Sequence, residues 1–310
     1  MSLPEFAIEA RNLEKVYKAS GKMEEKRALK GIDLQIPRGS IFGLLGPNGA
    51  GKSTFINILA GLVMKTSGVV NIWGIDIDRQ PRAARAAIGV VNQEITMDPF
   101  FTPVEALELM AGFYGVPKSE RRSDEILKAV GLDDKRDAYV RQLSGGMKRR
   151  LMVAKALVHN PPVLILDEPT AGVDVELRRS LWEYVRELHD NGTTIILTTH
   201  YLEEAEELCD QIAIVNHGEI IACEPKPQLL QRLDKRQLII SPRESLSSLP
   251  EALGDFDAKL TPAGDIAITF SSSETGIGRI LEKVRGAGIG IADLSTEEPN
   301  LEDVFVALTS

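Results

Sequence analysis

The sequence predicts an α/β protein with a parallel core sheet, followed by a small α+β domain. Two observations predict this fold class. Between residues 163 and 215, short apolar runs alternate with segments of helical periodicity, which is typical of a parallel sheet with helices on both faces. Near residue 233 the chain becomes rich in Ser, Gly, Pro and acidic residues. We therefore predict one domain at residues 1–232 and a second at residues 233–310.

The first half of the chain begins with short strands. Apolar runs predict strands at 6–10, 31–36, 69–73 and 40–45, and the polar stretch 18–30 is predicted as a loop. The strand at 40–45 runs into a glycine-rich turn and then a helix that begins near Gly51. Apolar residues at helical spacing predict two more helices, at 103–115 and 119–130.

In the second half of the chain, predicted strands and helices alternate more regularly. A helix over 144–158 is predicted to stop before Asn160-Pro161-Pro162. Strands are then predicted at 163–166, 194–198 and 211–215, with helices at 175–190 and 201–209. Beyond them we predict the end of a helix at 229–236, strands at 238–240 and 266–270, an extended run at 288–294, and helices at 276–285 and 300–308.

Composition excludes several classes of protein. The 310 residues are 43% hydrophobic and 26% charged, so wholesale disorder is excluded. We see no apolar run long enough to span a membrane and no secretory signal. Two cysteines, Cys209 and Cys223, cannot form a disulfide framework, and we expect inert thiols in a cytoplasmic protein.

The net charge of −9 is uneven along the chain. Residues 233–310 hold 13 acidic and 7 basic residues and so contribute −6. A dedicated nucleic-acid binder usually presents a basic face, so we expect no nucleic-acid partner. The acidic segment is either a solvated domain or a surface for a basic partner.

A glycine-rich loop follows the strand at 40–45. The run Gly46-Pro47-Asn48-Gly49-Ala50-Gly51-Lys52-Ser53 fits the pattern G-x-x-x-x-G-K-[ST]. Such a loop turns backbone N–H groups around a phosphate, and the next helix adds unpaired donors. Lys52 is expected to reach the terminal phosphates and the Ser53 hydroxyl to ligate Mg²⁺. We add Thr54, the next residue, to the candidate ATP site. A purely structural glycine turn is the alternative.

An acidic pair ends the strand Val163–Leu166. Asp167 and Glu168 follow this apolar run, at the edge of a parallel sheet where ligands bind. Asp167 suits a Mg²⁺ shell, through water, and Glu168 suits the polarisation of an attacking water. The alternative is a strand that simply ends in charged loop residues.

The segment Leu143-Ser144-Gly145-Gly146-Met147 resembles the signature of the ABC-type ATPases, and the resemblance covers most of residues 5–232. Gln93 matches the glutamine loop of that family, Ala171-Gly172-Val173-Asp174 its loop after the catalytic glutamate, and His200 its switch histidine. Tyr17 lies where the family places an aromatic ring under adenine. Met147 departs from the glutamine that many members have, and it offers no amide for a hydrogen bond.

The resemblance implies roles for these residues. Glu168, His200 and Lys52 would be catalytic, with Gln93 at the metal. The ATP-binding set would comprise Tyr17, 46–54, Gln93, Ser144, Gly145, Gly146 and Asp174. It also implies a parallel core sheet, an antiparallel β subdomain and a helical signature subdomain.

Several of these residues also allow a structural interpretation. His200 and Gln93 could be structural, and Tyr17 a packed core aromatic. Phe100 and Phe101 suit either a groove for a membrane subunit or the core. Lys148-Arg149-Arg150 either approaches phosphate or an acidic surface, or consists of solvated helix charges.

In this family the loop of one subunit faces the signature of another, so the resemblance implies a dimer, identical or with a paralogue, that holds two ATP molecules. It also implies a separate transmembrane permease and a place on the cytoplasmic face of the membrane. The ending Glu298–Phe305 and the Leu-Ser-Gly-Gly-Met signature resemble export-type ATPases of the daunorubicin-resistance group. Export of a drug, lipid or polysaccharide-like substrate is therefore the first hypothesis.

Two alternatives remain. One is an importer ATPase. The other is an ABC ATPase outside transport that acts on DNA or ribosomes, but Ser144 follows Lys52 by only 92 positions, without heptad-like sequence between them, and a second glycine-rich loop is absent.

Overall fold

A computed structural model describes residues 3–19, 24–170, 175–233, 235–244, 246, 248–250, 253–271, 275–297 and 299–309. The side chains of residues 175–177 and 235 are also outside the description. The chain divides into two compact units between Lys226 and Pro227. The predicted domain boundary after residue 232 stays a prediction.

Ten strands and seven α-helices build the first unit as far as the structure describes it. The strands are β1 (Phe6–Tyr17), β2 (Lys26–Pro37), β3 (Ile41–Leu45), β4 (Ser67–Ile72), β5 (Ile75–Asp76), β6 (Ile88–Val91), β7 (Val163–Asp167), β8 (Thr194–Thr198), β9 (Gln211–Asn216) and β10 (Glu219–Pro225). The helices are α1 (Lys52–Leu59), α2 (Pro81–Ala86), α3 (Pro103–Phe113), α4 (Ser123–Ala129), α5 (Gly145–Leu157), α6 (Val175–Asp190) and α7 (Leu202–Leu208). Helix α8 (Lys226–Gln231) begins at the boundary, and its residues from Pro227 onward belong to the second unit.

The core sheet has the order β10-β9-β3-β8-β7-β6. All of its pairs are parallel except β9–β10. Every residue of β3 and β8 is buried, as expected for strands covered on both faces. The predicted parallel core is therefore confirmed.

A second sheet of the first unit has the order β2-β1-β4-β5 and is antiparallel. The predicted loop at 18–30 is wrong from residue 26 onward, since β2 begins at Lys26. Lys26 and Arg27 pair with Tyr17 and Val16 of β1. Since β2 is an edge strand and both side chains are exposed, these polar residues join the strand without being buried.

Helices α3, α4 and α5 form a small helical region with its own core. Leu107, Leu127 and Leu151, one from each helix, are fully buried together. α3 begins with a capping box, in which Thr102 Oγ1 accepts from the Glu105 backbone and the Glu105 carboxylate accepts from Thr102 N. The helices predicted at 103–115, 119–130 and 144–158 correspond to α3, α4 and α5, with ends that differ by up to four residues.

As far as the structure describes it, the second unit contains an antiparallel sheet and, besides α8, two helices. Its strands β11 (Lys235–Pro242), β12 (Asp257–Leu260), β13 (Ile266–Ser271) and β14 (Ile291–Glu297) have the order β12-β13-β11-β14, and its helices are α9 (Ile277–Gly286) and α10 (Leu301–Thr309). The predicted helix at 229–236 is wrong at its end, since Arg236 pairs with Phe270 inside a central strand. Ile280 and Val284 of α9 pack into this unit's core.

Among the helices that the structure describes, none combines the length and the apolar character that a membrane span requires.

Candidate active site

The glycine-rich loop joins β3 to α1 and is too crowded for side chains at two positions. A Cβ on Gly46 would lie 2.2 Å from Val215 O, and one on Gly51 would lie 2.7 Å from Ala28 O. Gly51 also has a φ of 118°, a conformation that glycine adopts without strain. No side chain caps α1, so the first N–H groups of this helix remain available to an anion.

Lys52 begins α1 and is buried in the loop. Its Nζ donates to Gly46 O at 2.6 Å and to Pro47 O at 3.2 Å. Burial lowers the pKa of Lys52, and the nearby Glu168 and Asp167 carboxylates oppose that shift. The ammonium is thus held between the loop and the acidic end of the core sheet.

A cavity of about 630 Å³ opens over this loop. It is lined by Tyr17, Lys26, Ala28, Asn48, Gly49, Ala50, Gly51, Lys52, Ser53, Thr54, Gln93, Glu168 and His200. Tyr17 is 39% exposed at this cavity, which contradicts the alternative of a packed core aromatic. The Lys15 ammonium lies 4.7 Å from the centroid of the Tyr17 ring.

The acidic pair occupies the carboxyl end of β7. Thr198 Oγ1, on the neighbouring strand β8, donates to Asp167 Oδ1 at 2.5 Å. Burial nevertheless raises the pKa of Asp167, and the charge of Glu168 adds to that rise. Glu168 N donates to Thr198 O at 3.0 Å and to Thr198 Oγ1 at 3.1 Å. These contacts hold Glu168 at a φ of 46°, a left-handed conformation that is costly for a non-glycine residue.

One oxygen of Glu168 has two partners from other segments. Gln93 Nε2 donates to Glu168 Oε2 at 2.8 Å, and His200 Nδ1 lies 3.3 Å from the same oxygen. The predicted residues Gln93, Glu168 and His200 therefore meet at one carboxylate, although they are far apart in sequence. This geometry favours the functional interpretation of Gln93 and His200 over the structural one.

Arg149 of α5 holds the backbone beside Gln93. Its guanidinium donates to Asn92 O at 2.7 Å and to Gln93 O at 2.8 Å. Only 4% of the residue is exposed, and this burial lowers the pKa of Arg149. For Lys148-Arg149-Arg150 the sequence suggested either contact with phosphate or an acidic surface, or solvated helix charges. Both interpretations are wrong for Arg149, which is buried and donates to backbone carbonyls. Its spacing from the buried Val153 and Ala156 is a signal that would have placed it on the inner face of α5.

The signature segment lies at the start of α5. Ser144 caps this helix as expected, with its Oγ accepting from Met147 N at 3.2 Å. Met147, the residue that departs from the family pattern, packs against the helical core. Ser144, Gly145 and Gly146 do not belong to the described lining of the cavity. Asp174, with Ala171, Gly172 and Val173, lies outside the described residues.

A second surface is apolar and exposed. Phe100 is 68% exposed and Phe113 is 75% exposed, which contradicts core packing for Phe100. Phe101 and Phe113 line a cavity of about 150 Å³ with Met97, Leu109 and Met110. Met110 and Lys155 also line an adjoining cavity of about 390 Å³ that reaches Leu62 and Tyr114. We call these two cavities the apolar groove.

His159, His189 and Cys209 have structural surroundings. His159 stacks on Tyr114 with ring centroids 3.6 Å apart, and its Nε2 lies 3.0 Å from Ile88 O. His189 Nε2 lies 3.0 Å from Gly39 O. Burial raises the pKa of Cys209 to about 12, so its thiol stays protonated and unreactive near neutral pH.

Known proteins resemble this chain along most of its length. Residues 29–171 match the family model described as ABC transporter. A linearmycin resistance ATP-binding protein of Bacillus subtilis is 37% identical over 97% of this chain and 98% of its own length. A Nod factor export ATP-binding protein I of Paraburkholderia xenovorans is 40% identical, with 99% and 98% covered. A daunorubicin/doxorubicin resistance ATP-binding protein of Streptomyces peucetius is 35% identical, with 99% and 93% covered.

Solved structures match the cassette portion of the chain. An ATP-binding subunit of an ABC transporter is 29% identical with a TM-score of 0.66, over 73% of this chain and 92% of its own. A dimeric ATP-binding cassette in a post-hydrolysis state, bound to ADP and phosphate, is 31% identical with a TM-score of 0.64, over 71% and 98%. The chain therefore belongs to the ABC transporter family, as one of its ATP-binding and ATP-hydrolysing cassettes.

Proposed function

We propose that this chain hydrolyses ATP at the cavity over the glycine-rich loop and thereby powers export through a separate membrane permease. The observation that carries the site assignment is the Glu168 carboxylate, which Gln93 and His200 contact beside Lys52. In this proposal Glu168 accepts a proton from the attacking water. Lys52 and the loop N–H groups bind the phosphates, and His200 contacts the terminal one.

The donor set at the acidic edge fits Mg²⁺. The Ser53 hydroxyl, the Gln93 amide oxygen and the Asp167 carboxylate are hard oxygen ligands of the kind that Mg²⁺ prefers. Asp167 is held in place by Thr198, and Ser53 and Gln93 line the cavity. When bound, the ion would neutralise charge on the phosphate oxygens. We propose that these three residues hold it, with Tyr17 stacking on adenine.

We further propose that the working unit is a dimer, with a homodimer as the simplest form. Ser144 and Gly145 are exposed, and they do not line the cavity of their own chain. An exposed helix N-terminus flanked by a hydroxyl suits the phosphates of ATP held by another subunit. Asp174 stays in the proposed ATP-binding set.

The export assignment rests on relatives that match along nearly the whole chain. They are named for resistance to linearmycin and daunorubicin and for Nod factor export. We propose that the permease of this chain docks in the apolar groove, which Phe113 lines, and on the exposed Phe100 ring, which precedes the groove residue Phe101. We also propose that the chain works on the cytoplasmic face of the membrane. A drug, lipid or polysaccharide-like compound is the proposed cargo.

The replacement Glu168→Gln tests the central assignment, because it keeps the shape of the side chain and removes the base. We expect MgATP to bind within about twofold of the wild-type affinity, and steady-state hydrolysis to fall by about 10²- to 10⁴-fold. Glu207→Gln is the matched control, since Glu207 forms only a surface ion pair with Arg186. Wild-type turnover in Glu168→Gln would contradict the proposal.

A further inference from the structure

Helix α7 carries a buried carboxylate that the proposed mechanism does not use. Glu204 is only 4% exposed. A buried carboxylate is costly unless hydrogen bonds and an opposite charge compensate it. Its partners therefore show what the charge does in this fold.

Two threonine hydroxyls donate to Glu204, one to each oxygen. Thr170 Oγ1 donates to Oε1 at 2.6 Å, and Thr199 Oγ1 donates to Oε2 at 2.8 Å. Thr170 is two residues after Glu168, and Thr199 is the residue before His200. The carboxylate thus bridges the two segments that carry the proposed base and the proposed phosphate-contacting histidine.

A further contact closes the turn around His200. Tyr201 N donates to Thr199 Oγ1 at 2.9 Å, so the hydroxyl that binds Glu204 also fixes the backbone on the far side of His200. The rings of His200 and Tyr201 have centroids 4.0 Å apart. The Glu204 carboxylate therefore reaches His200 through one hydroxyl and one backbone N–H.

The positive charge comes from helix α6. Arg178 Nε lies 3.4 Å from Glu204 Oε1, and its guanidinium carbon lies 4.7 Å from the centroid of the Tyr201 ring. The Tyr201 ring thus contacts both the guanidinium of Arg178 and the imidazole of His200. Three separate segments, after β7, after β8 and on α6, converge on one buried side chain.

We propose that Glu204 is a positioning residue for ATP hydrolysis, which sets the separation of Glu168 and His200 by binding Thr170 and Thr199 at once. This inference rests on the proposed roles of Glu168 and His200. The Glu168 Oε2 to His200 Nδ1 distance of 3.3 Å depends on where two loops leave neighbouring strands. A displacement of about 1 Å at a reacting group lowers rates by up to about a hundredfold.

The experiment compares steady-state kcat, KM for MgATP and melting temperature in the full chain. Glu204→Gln removes the charge, and Thr199→Val removes the hydroxyl while keeping the side-chain volume. For both we expect kcat to fall by about ten- to a hundredfold, with KM within about twofold. Thr199→Ser keeps the hydroxyl and loses a methyl group, so it should lose less kcat than Thr199→Val.

Glu207→Gln, on the same helix, is the control that should behave as wild type. A purely structural role predicts instead that Thr199→Val lowers the melting temperature while kcat of the folded protein stays within about twofold of wild type, and that result would overturn the inference. If Glu204→Gln does not fold, the kcat values of Thr199→Val and Thr199→Ser test the inference on their own. Glu168→Gln is measured in parallel, and wild-type turnover in that variant would contradict the proposed function itself. If Glu168→Gln loses turnover but Thr199→Val keeps it, only the positioning role is contradicted.

Discussion

The acidic end of the core sheet and the helical region of α3 to α5 differ in whether their candidate functional residues have hydrogen-bond partners within the chain or are exposed. At the sheet end, Asp167, Glu168 and His200 bind one another or the adjacent Thr198. In the helical region, Ser144 and Gly145 are exposed, and so are Phe100 and Phe113. In our proposal the first region performs the chemistry with groups of its own chain, whereas the second presents groups to partners.

A mixing experiment gives the largest effect that separates the two regions. Lys52→Ala disables the loop, and Ser144→Arg blocks the exposed signature, so each variant alone should be inactive. If Ser144 serves the partner's cavity, a mixed dimer contains one intact site, and an equal mixture should regain about a quarter of wild-type ATPase activity. Mixing Lys52→Ala with Glu168→Gln is the control, since both changes damage the same half. If the mixture of Lys52→Ala and Ser144→Arg stays inactive, Ser144 does not serve the cavity of the partner chain.

Arg149 joins the two regions, and its replacement should have an intermediate effect. Arg149→Met removes both hydrogen bonds to the Gln93 backbone segment and keeps much of the apolar stem. We expect kcat to fall by about tenfold because Gln93 no longer meets Glu168 reliably. Arg150→Met is the matched control, since Arg150 donates to Val130 O and Gly131 O instead. Equal losses in both variants would show that helix packing, and not the Gln93 contact, explains the effect.

The sequence predicted the sheet end more completely than the helical region. Gly46, Lys52 and Glu168 were found because a phosphate loop and an acidic strand end require residue types at fixed local spacings. Arg149 was missed because its role depends on a contact with residues 92 and 93, which only the tertiary fold brings close. β2 begins earlier than predicted for the same reason, since Lys26 joins the strand only through its pairing with Tyr17 of β1.

Glu204 illustrates the same limit within the site itself. The sequence around it offers several neighbouring glutamates, at 203, 204, 206 and 207, and helical periodicity alone does not say which one is buried. The structure selects Glu204 because Thr170 and Thr199 arrive from two different strand ends. Local motifs thus identify groups that act on the substrate, while the groups that place them depend on long-range packing.

Replacing Phe113 in the apolar groove or the exposed Phe100 beside Phe101 should change ATP hydrolysis least and permease binding most. Phe100→Ser and Phe113→Ser replace exposed rings that contribute little to the core, so ATPase activity of the chain alone should stay within about twofold of wild type. Copurification with the permease proposed for this chain should fall several-fold, because the apolar contact area is lost. Leu3→Ser, at another exposed apolar position, is the control and should copurify normally. Unchanged copurification of both phenylalanine variants would place the permease contact elsewhere, and a large loss of ATPase activity would show that the helical region is not separable from the chemistry.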